Sequence, residues 1–316
     1  MPGFKNREEY DKWKDEKIRS NLEKFKGIKK EEEKPGILQT APEGKSPVQE
    51  ERGLRPIAEL FSESWELFKV RFIILISLYL LSALFLLIPL VIFTGMGLIV
   101  SIFFPEARDA FVAGGLLTGS IPGFIAMFWC TAAFTYAVSD RTIGIKDALA
   151  RGWKKAWSFI WLFSILGFVV TGGFLLFLIP GIIFLVWFTF SQFTLASEGN
   201  KGMDAMLRSK EYVRGNWFDV FLRLFVIGLI YMIINMVPFI GPILSIVFFP
   251  FMMIFIYLIY HDLKELKGED IVYPNSIEQK FKWIGLGVLG YIILPLMIIS
   301  FLGVSAIIPF FRLKGY

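Results

Sequence analysis

The chain has 316 residues, of which 55% are hydrophobic and only 19% charged, and its 34 phenylalanines outnumber its 33 lysines and arginines together. That balance excludes an ordinary soluble domain and predicts an all-α, polytopic transmembrane helical bundle. A single cysteine, Cys130, excludes intramolecular disulfides and thiolate metal clusters by count.

Residues 1–53 come first and hold 13 Lys and Arg against 12 Asp and Glu. Within them, REEYDKWKDEKIRSNLEKFK places Tyr10, Trp13, Ile18, Leu22 and Phe25 along one side of a helix. Such a helix is marginal in water; it is either a solvated tail or docks its aromatic side on a protein partner or on lipid headgroups. From Gly27 to Arg55, KKEEEKPG and APEGKSPVQEERG read as a flexible tether, so residues 1–54 are expected to be a cytoplasmic tail and linker. The N-terminus is too polar for a secretory signal, and the first run able to cross a bilayer starts near Phe72.

The apolar run from Ser158 to Ala196 would make a helix about 58 Å long, nearly twice the roughly 30 Å hydrocarbon core. Pro180 and Gly181 stand at its midpoint, where a missing donor and a permissive backbone favour a chain reversal. VPFIGP, with Pro238 and Gly241, repeats that chemistry. The same reasoning predicts seven spans near 72–100, 111–138, 158–179, 181–197, 218–236, 242–260 and 284–308.

Charge sets their orientation. Arg141, Lys146, Arg151, Lys154 and Lys155 precede the third span, Lys201, Arg208, Lys210 and Arg214 precede the fifth, and Lys264, Lys267, Lys280 and Lys282 precede the seventh. With Lys69 and Arg71, they predict a multi-pass protein of the inner (plasma) membrane with a cytoplasmic N-terminus. A hairpin within Phe72 to Phe104 would put residues 139–157 outside, so Pro89 is read as a kink in one span. The seventh span leaves Arg312 and Lys314 outside, which a re-entrant pair broken at Pro295 would avoid.

Amphipathic segments are predicted at the interface before three spans. One carries Ile57, Leu60, Phe61, Trp65 and Phe68; the second Ile145, Ala148, Leu149 and Gly152; the third Met203, Met206 and Leu207. Aligning Glu59, Asp147 and Asp204 puts a proline 30, 33 and 34 residues later, at Pro89, Pro180 and Pro238. The expected organisation is three helix-plus-hairpin repeats (55–140, 141–198 and 199–262), then a linker and span in 263–316.

The run from Leu178 to Phe221 resembles the membrane domain fused to some glycerophosphoryl diester phosphodiesterases and its uncharacterised bacterial inner-membrane relatives. The resemblance rests on Pro180, Gly181, Asp204, Ala205, Met206, Ser209, Gly215, Asn216 and Trp217, and extends over about residues 55–262. It implies membrane residence; the catalytic domain of those fusions is absent, so their chemistry does not follow.

No Walker loop, nucleophile elbow or His-Glu-x-x-His is present, and His261 with Asp262 falls short of a metal's ligand count. Gly115, Gly119 and Gly123 make a smooth strip for close helix packing. Asp219 and Arg223, four apart, can pair on one helix face, while Gln192 and Asn235 are the other deep polar side chains. Trp153, Trp157 and Trp161 form an interfacial anchor whose basic neighbours favour anionic headgroups. The expectation is a non-catalytic membrane-organising, assembly or lipid-handling protein that uses no cofactor or metal and binds no nucleic acid. Its partners are membrane lipids and a protein at the N-terminal tail. The alternative is a carrier or channel for a small or lipidic solute, which broken spans at Pro89 and Pro122 would serve.

Overall fold

The computed structural model describes residues 53–268, 271, 273 and 276–313, with side chains through Ser300. The predicted tail helix, and the tether up to residue 52, lie outside these residues. Among the described residues the structure is helical and has no strand. It comprises α1 (Ile57–Phe103), a 3-10 turn (Pro105–Ala107), α2 (Arg108–Ser139), α3 (Ile145–Leu176), α4 (Leu178–Phe188) and α5 (Ser191–Glu198). Then follow α6 (Met203–Val213), α7 (Trp217–Asn235), α8 (Ile240–Lys267) and α9 (Ile277–Leu313).

Among the described residues, seven stretches are long and apolar enough to cross a bilayer, with α4 and α5 together forming the fourth, Leu178–Glu198. Helix is the form such sequences must take, because hydrocarbon offers no partner to a backbone amide. The protein is therefore an all-α, multi-pass membrane bundle. Its outward surface is apolar over long stretches: Leu84, Leu87, Val91, Leu117, Phe225 and Ile233 are all exposed.

Helices pair as hairpins where small residues let backbones meet. A Cβ on Gly119 would lie 2.8 Å from the Pro89 carbonyl oxygen, and one on Gly123 2.9 Å from that of Leu86, while Gly115 faces the Phe93 carbonyl. The strip thus seats α2 on α1. Likewise α9 packs on α3, with Gly172 against Gly287 and Gly290 and the Phe168 and Tyr291 rings stacked 5.0 Å apart.

Buried side chains concentrate toward the end of the bundle that carries the basic connections. One cluster joins Leu60 and Phe68 of α1 to Phe134 of α2, Phe193 of α5, Tyr212 of α6 and Phe255 of α8. The other joins Phe159 and Leu162 of α3 to Phe188 of α4, Met206 of α6 and Trp283 of α9. Along α1, no residue is buried between Leu78 and Gly97.

Several boundaries differ from the sequence reading. The segments read as separate amphipathic helices at 57–68 and 145–157 run without a break into α1 and α3, since neither contains a residue that stops propagation. Only the third, α6, stands apart, ended by Gly215 at φ 89°, a conformation that other residues rarely adopt. Pro89, Pro122 and Pro295 all lie inside continuous helices, so the chain has neither a hairpin in the first span nor a re-entrant break in the last. The reversal between α3 and α4 falls at extended Phe177, three residues before Pro180. Pro180 and Gly181 occupy the first turn of α4, where a proline forfeits no helical bond.

At the other turn, Phe239 takes φ 63° and Gly241 opens α8. The Gly241 amide donates to the Val237 carbonyl at 2.8 Å, and a Cβ there would lie 2.6 Å from the Ile234 oxygen.

Candidate functional site

The basic end of the bundle is a layer of charged and phenolic groups that fasten helices distant in sequence. Its centre is Glu198, the last residue of α5, whose side chain is 8% exposed. Tyr212 and Tyr260 both donate to its Oε1, at 2.8 and 2.5 Å. Asn200 donates to Oε2 at 3.1 Å, and Arg208 forms an ion pair with the same oxygen. The Arg208 guanidinium also lies 5.8 Å from the centres of the Tyr212 and Tyr273 rings. Burial alone would lower the pKa of Arg208, but the Tyr212 hydroxyl and the Glu198 carboxylate outweigh it and raise it. Burial, reinforced by Glu198, pushes the Tyr212 hydroxyl up to about 12.

A second node ties the chain entering α1 to α8. Arg55 Nε donates to Asp262 Oδ1 at 2.7 Å, and the same guanidinium pairs with Glu63. The Asp262 hydrogen bond, opposed by burial and aided by both carboxylates, holds the Arg55 pKa above its usual value. Glu63 also receives Arg141 at 3.3 Å. His261, Asp262 and Glu265 offer ligand atoms within 4.8 Å of one another, and Asp262 Oδ1 already accepts from the Arg55 guanidinium.

Two further arginines serve the backbone. Arg71 donates to the carbonyls of Asp140 and Ile143, both at 2.7 Å, closing the turn between α2 and α3. In that turn Thr142 and then Arg151 hold the Asp140 carboxyl below the usual range, overcoming its partial burial. Arg223 donates to the carbonyls of Leu54 and Arg55 at 3.1 and 2.8 Å. Its predicted partner Asp219 stands 3.8 Å away with a side chain 64% exposed. The pair is loose, and Arg223 chiefly anchors the entry to α1.

Next to this layer the fourth span is broken between α4 and α5. Ser209 of α6 repairs the break: its hydroxyl accepts from the Phe190 amide at 3.1 Å and donates to the Trp187 carbonyl at 2.8 Å. Thr194 reaches back to the Ala205 carbonyl at 3.0 Å. Between α3 and the broken span lies a groove of about 310 Å³, lined by residues that include Leu166, Val170, Phe188 and Gln192.

Trp153, Trp157 and Trp161 project from one side of α3, 60%, 73% and 63% exposed. Exposed Lys146, Arg151 and Lys154 belong to the same end of α3. Lys210 instead lies over the rings of Trp187 and Trp283, at 5.3 and 4.9 Å. Burial lowers its pKa, Glu211 opposing and Lys282 and Arg214 assisting. Asn235 donates to the Tyr231 carbonyl of its own helix.

Glu198 and Arg55 escaped the sequence reading. Glu198 had a signal: a carboxylate ending an apolar helix opposes the helix dipole and needs a cation from elsewhere. Arg55 had none, because its partner lies 207 residues away. No family model, curated protein or solved structure matches this chain.

Proposed function

We propose that the protein is a non-catalytic, lipid-handling organiser of the inner (plasma) membrane, with its basic end and N-terminus in the cytoplasm. The observation that carries this reading is the exposed row of Trp153, Trp157 and Trp161 beside uncommitted lysines. Indole rings favour the headgroup level, and each basic side chain near an anionic surface adds roughly 1 kcal/mol of attraction. The carboxylates Glu198, Glu63, Asp140 and Asp262 are each engaged by an arginine, which suits a fastened scaffold better than a proton-transfer site. The motif resemblance noted above supports membrane residence and no particular chemistry.

The test is lipid retention by the full chain in nanodiscs of mixed phosphatidylethanolamine and phosphatidylglycerol, read by native mass spectrometry. Phosphatidylglycerol should be enriched, and the triple change Lys146→Gln, Lys154→Gln and Lys155→Gln should abolish the enrichment; equal retention by both proteins would overturn the reading. Sidedness is checked by labelling single cysteines at positions 146 and 239 in intact cells. A protein partner at the tail belongs to the same proposal, and deleting residues 1–26 should then remove co-purifying protein. The groove beside Gln192 supports the second reading, a carrier for a lipidic solute, for which reconstituted flux is the measurement.

A further inference from the structure

The groove between α3 and the broken α4–α5 span has a chemistry of its own. Where a helix breaks inside a membrane, its freed backbone groups need new partners. Here hydroxyls supply them: Thr189 donates to the Leu185 carbonyl at 2.6 Å, Ser191 to that of Phe188 at 2.6 Å, and Ser209 serves both Trp187 and Phe190. These four backbone groups of the groove wall and the break are therefore satisfied.

Two polar side chains on that wall are not. The Gln192 amide and the Thr171 hydroxyl line the groove and find no hydrogen-bond partner among the described residues. An amide carries two donors and an acceptor, and leaving them unpaired beside hydrocarbon is costly. The remaining lining is largely apolar, with Leu162, Leu166, Val170 and Phe188, and includes no charged residue. Such a surface accepts an uncharged, mainly apolar guest that offers a hydrogen-bonding group.

Size and depth narrow the class. About 310 Å³ is the low end for a ligand pocket, enough for part of a lipid rather than the whole. Gln192 precedes Glu198 by six residues, which sets it about 9 Å along the helix from the polar layer, at the upper edge of the hydrocarbon. Ester carbonyls of glycerolipids and ring carbonyls of isoprenoid quinones can both reach that level.

We propose that this groove binds a carbonyl-bearing segment of a bilayer lipid, with Gln192 donating to the carbonyl. The assignment rests on the lipid-handling reading and gives it a site distinct from the tryptophan face.

The experiment uses the full chain in nanodiscs, doped with either a diazirine-bearing diacylglycerol or a photoreactive isoprenoid quinone, with cross-links mapped by peptide sequencing. A Cβ on Gly167, at the rim, would meet nothing within 4 Å, so Gly167→Phe fills the groove without disturbing the fold. Gly228, equally open but on α7, supplies the control Gly228→Phe.

One of the two probes should label residues 162–171 or 185–192, which identifies the lipid source. Labelling should drop about tenfold in Gly167→Phe and about threefold in Gln192→Leu, the latter matching one lost hydrogen bond. Gly228→Phe should label like the parent protein. Labelling that ignores Gly167→Phe, or that neither probe directs to these walls, would overturn the assignment. Phosphatidylglycerol retention measured on the same samples separates the two proposals: if it persists while groove labelling fails, only the groove assignment falls.

Discussion

The Tyr260 hydroxyl of α8 donates to Glu198 Oε1 at 2.5 Å, joining the sixth membrane-spanning helix to the end of the fourth. Tyr212 shares that oxygen and Arg208 takes the other. Removing the carboxylate leaves a cation and two phenols in a buried site. Glu198→Ala should therefore destabilise the bundle by roughly 3–5 kcal/mol, and Glu198→Gln by less, because the amide still accepts from a phenol. Thermal unfolding in detergent, followed by tryptophan fluorescence, measures both.

Alkaline stability should report on the same node. The Tyr212 hydroxyl titrates near 12 in the folded protein against an ordinary value of 10.0. Its folded form retains a proton that the unfolded chain releases, so its contribution is complete below pH 10 and is lost as pH rises toward 12. The melting temperature should fall across that window, and Tyr212→Phe should make the fall shallower. An unchanged slope would show that Tyr212 does not carry this part of the pH dependence.

Ser209 offers a local test. Ser209→Ala removes both the acceptor for the Phe190 amide and the donor to the Trp187 carbonyl. A cost of about 1–3 kcal/mol follows from stranding buried backbone groups. Hydrogen exchange at Phe190 should accelerate by more than that at Leu195, and equal acceleration would mean that the repair is not local.

Neighbouring glycines of α2 should respond in opposite directions. Gly119→Leu drives a side chain into the α1 backbone and should cost about 1–3 kcal/mol. Gly114, where a Cβ meets nothing within 4 Å, should tolerate Ala with a gain of about 0.5–1 kcal/mol from restricted backbone freedom. Melting temperatures of the two variants decide the point.

The Arg55 and Asp262 pair is suited to a double-mutant cycle. Arg55→Gln and Asp262→Asn, alone and together, should give a coupling energy of about 0.5–3 kcal/mol. A value near zero would assign the burial of Asp262 to packing alone.

Much of the membrane architecture was legible because bilayer thickness turns run length into span number, as the run around Pro180 shows. Helix identity was equally legible, since an apolar segment in lipid has few alternatives. Boundaries were harder: an amphipathic segment and the span after it look different in composition, yet nothing between Trp65 and Phe72 interrupts a helix. The glycine strip could be read because its spacing is local. The fastening layer could not, because a pair such as Arg55 and Asp262 leaves no periodic trace. Gln192 stood out as a deep amide, but the groove beside it depends on a break at Phe190 that no proline or glycine marks.

The long sequence reach of these fastenings bears on how the chain is made. Arg55 leaves the ribosome just ahead of α1, while Asp262 lies near the end of α8, the sixth spanning stretch. Synthesis runs from the N-terminus at about 5–20 residues per second, so the wait between the two is on the order of ten to forty seconds. Arg223, which grips the Leu54 and Arg55 carbonyls, arrives shortly before its companion. During that interval the first hairpins sit in the bilayer with their entry segment unclasped. The clasp on the entry segment closes only when α8 is delivered, so the first five spanning stretches are made before the chain leading into α1 is held in place.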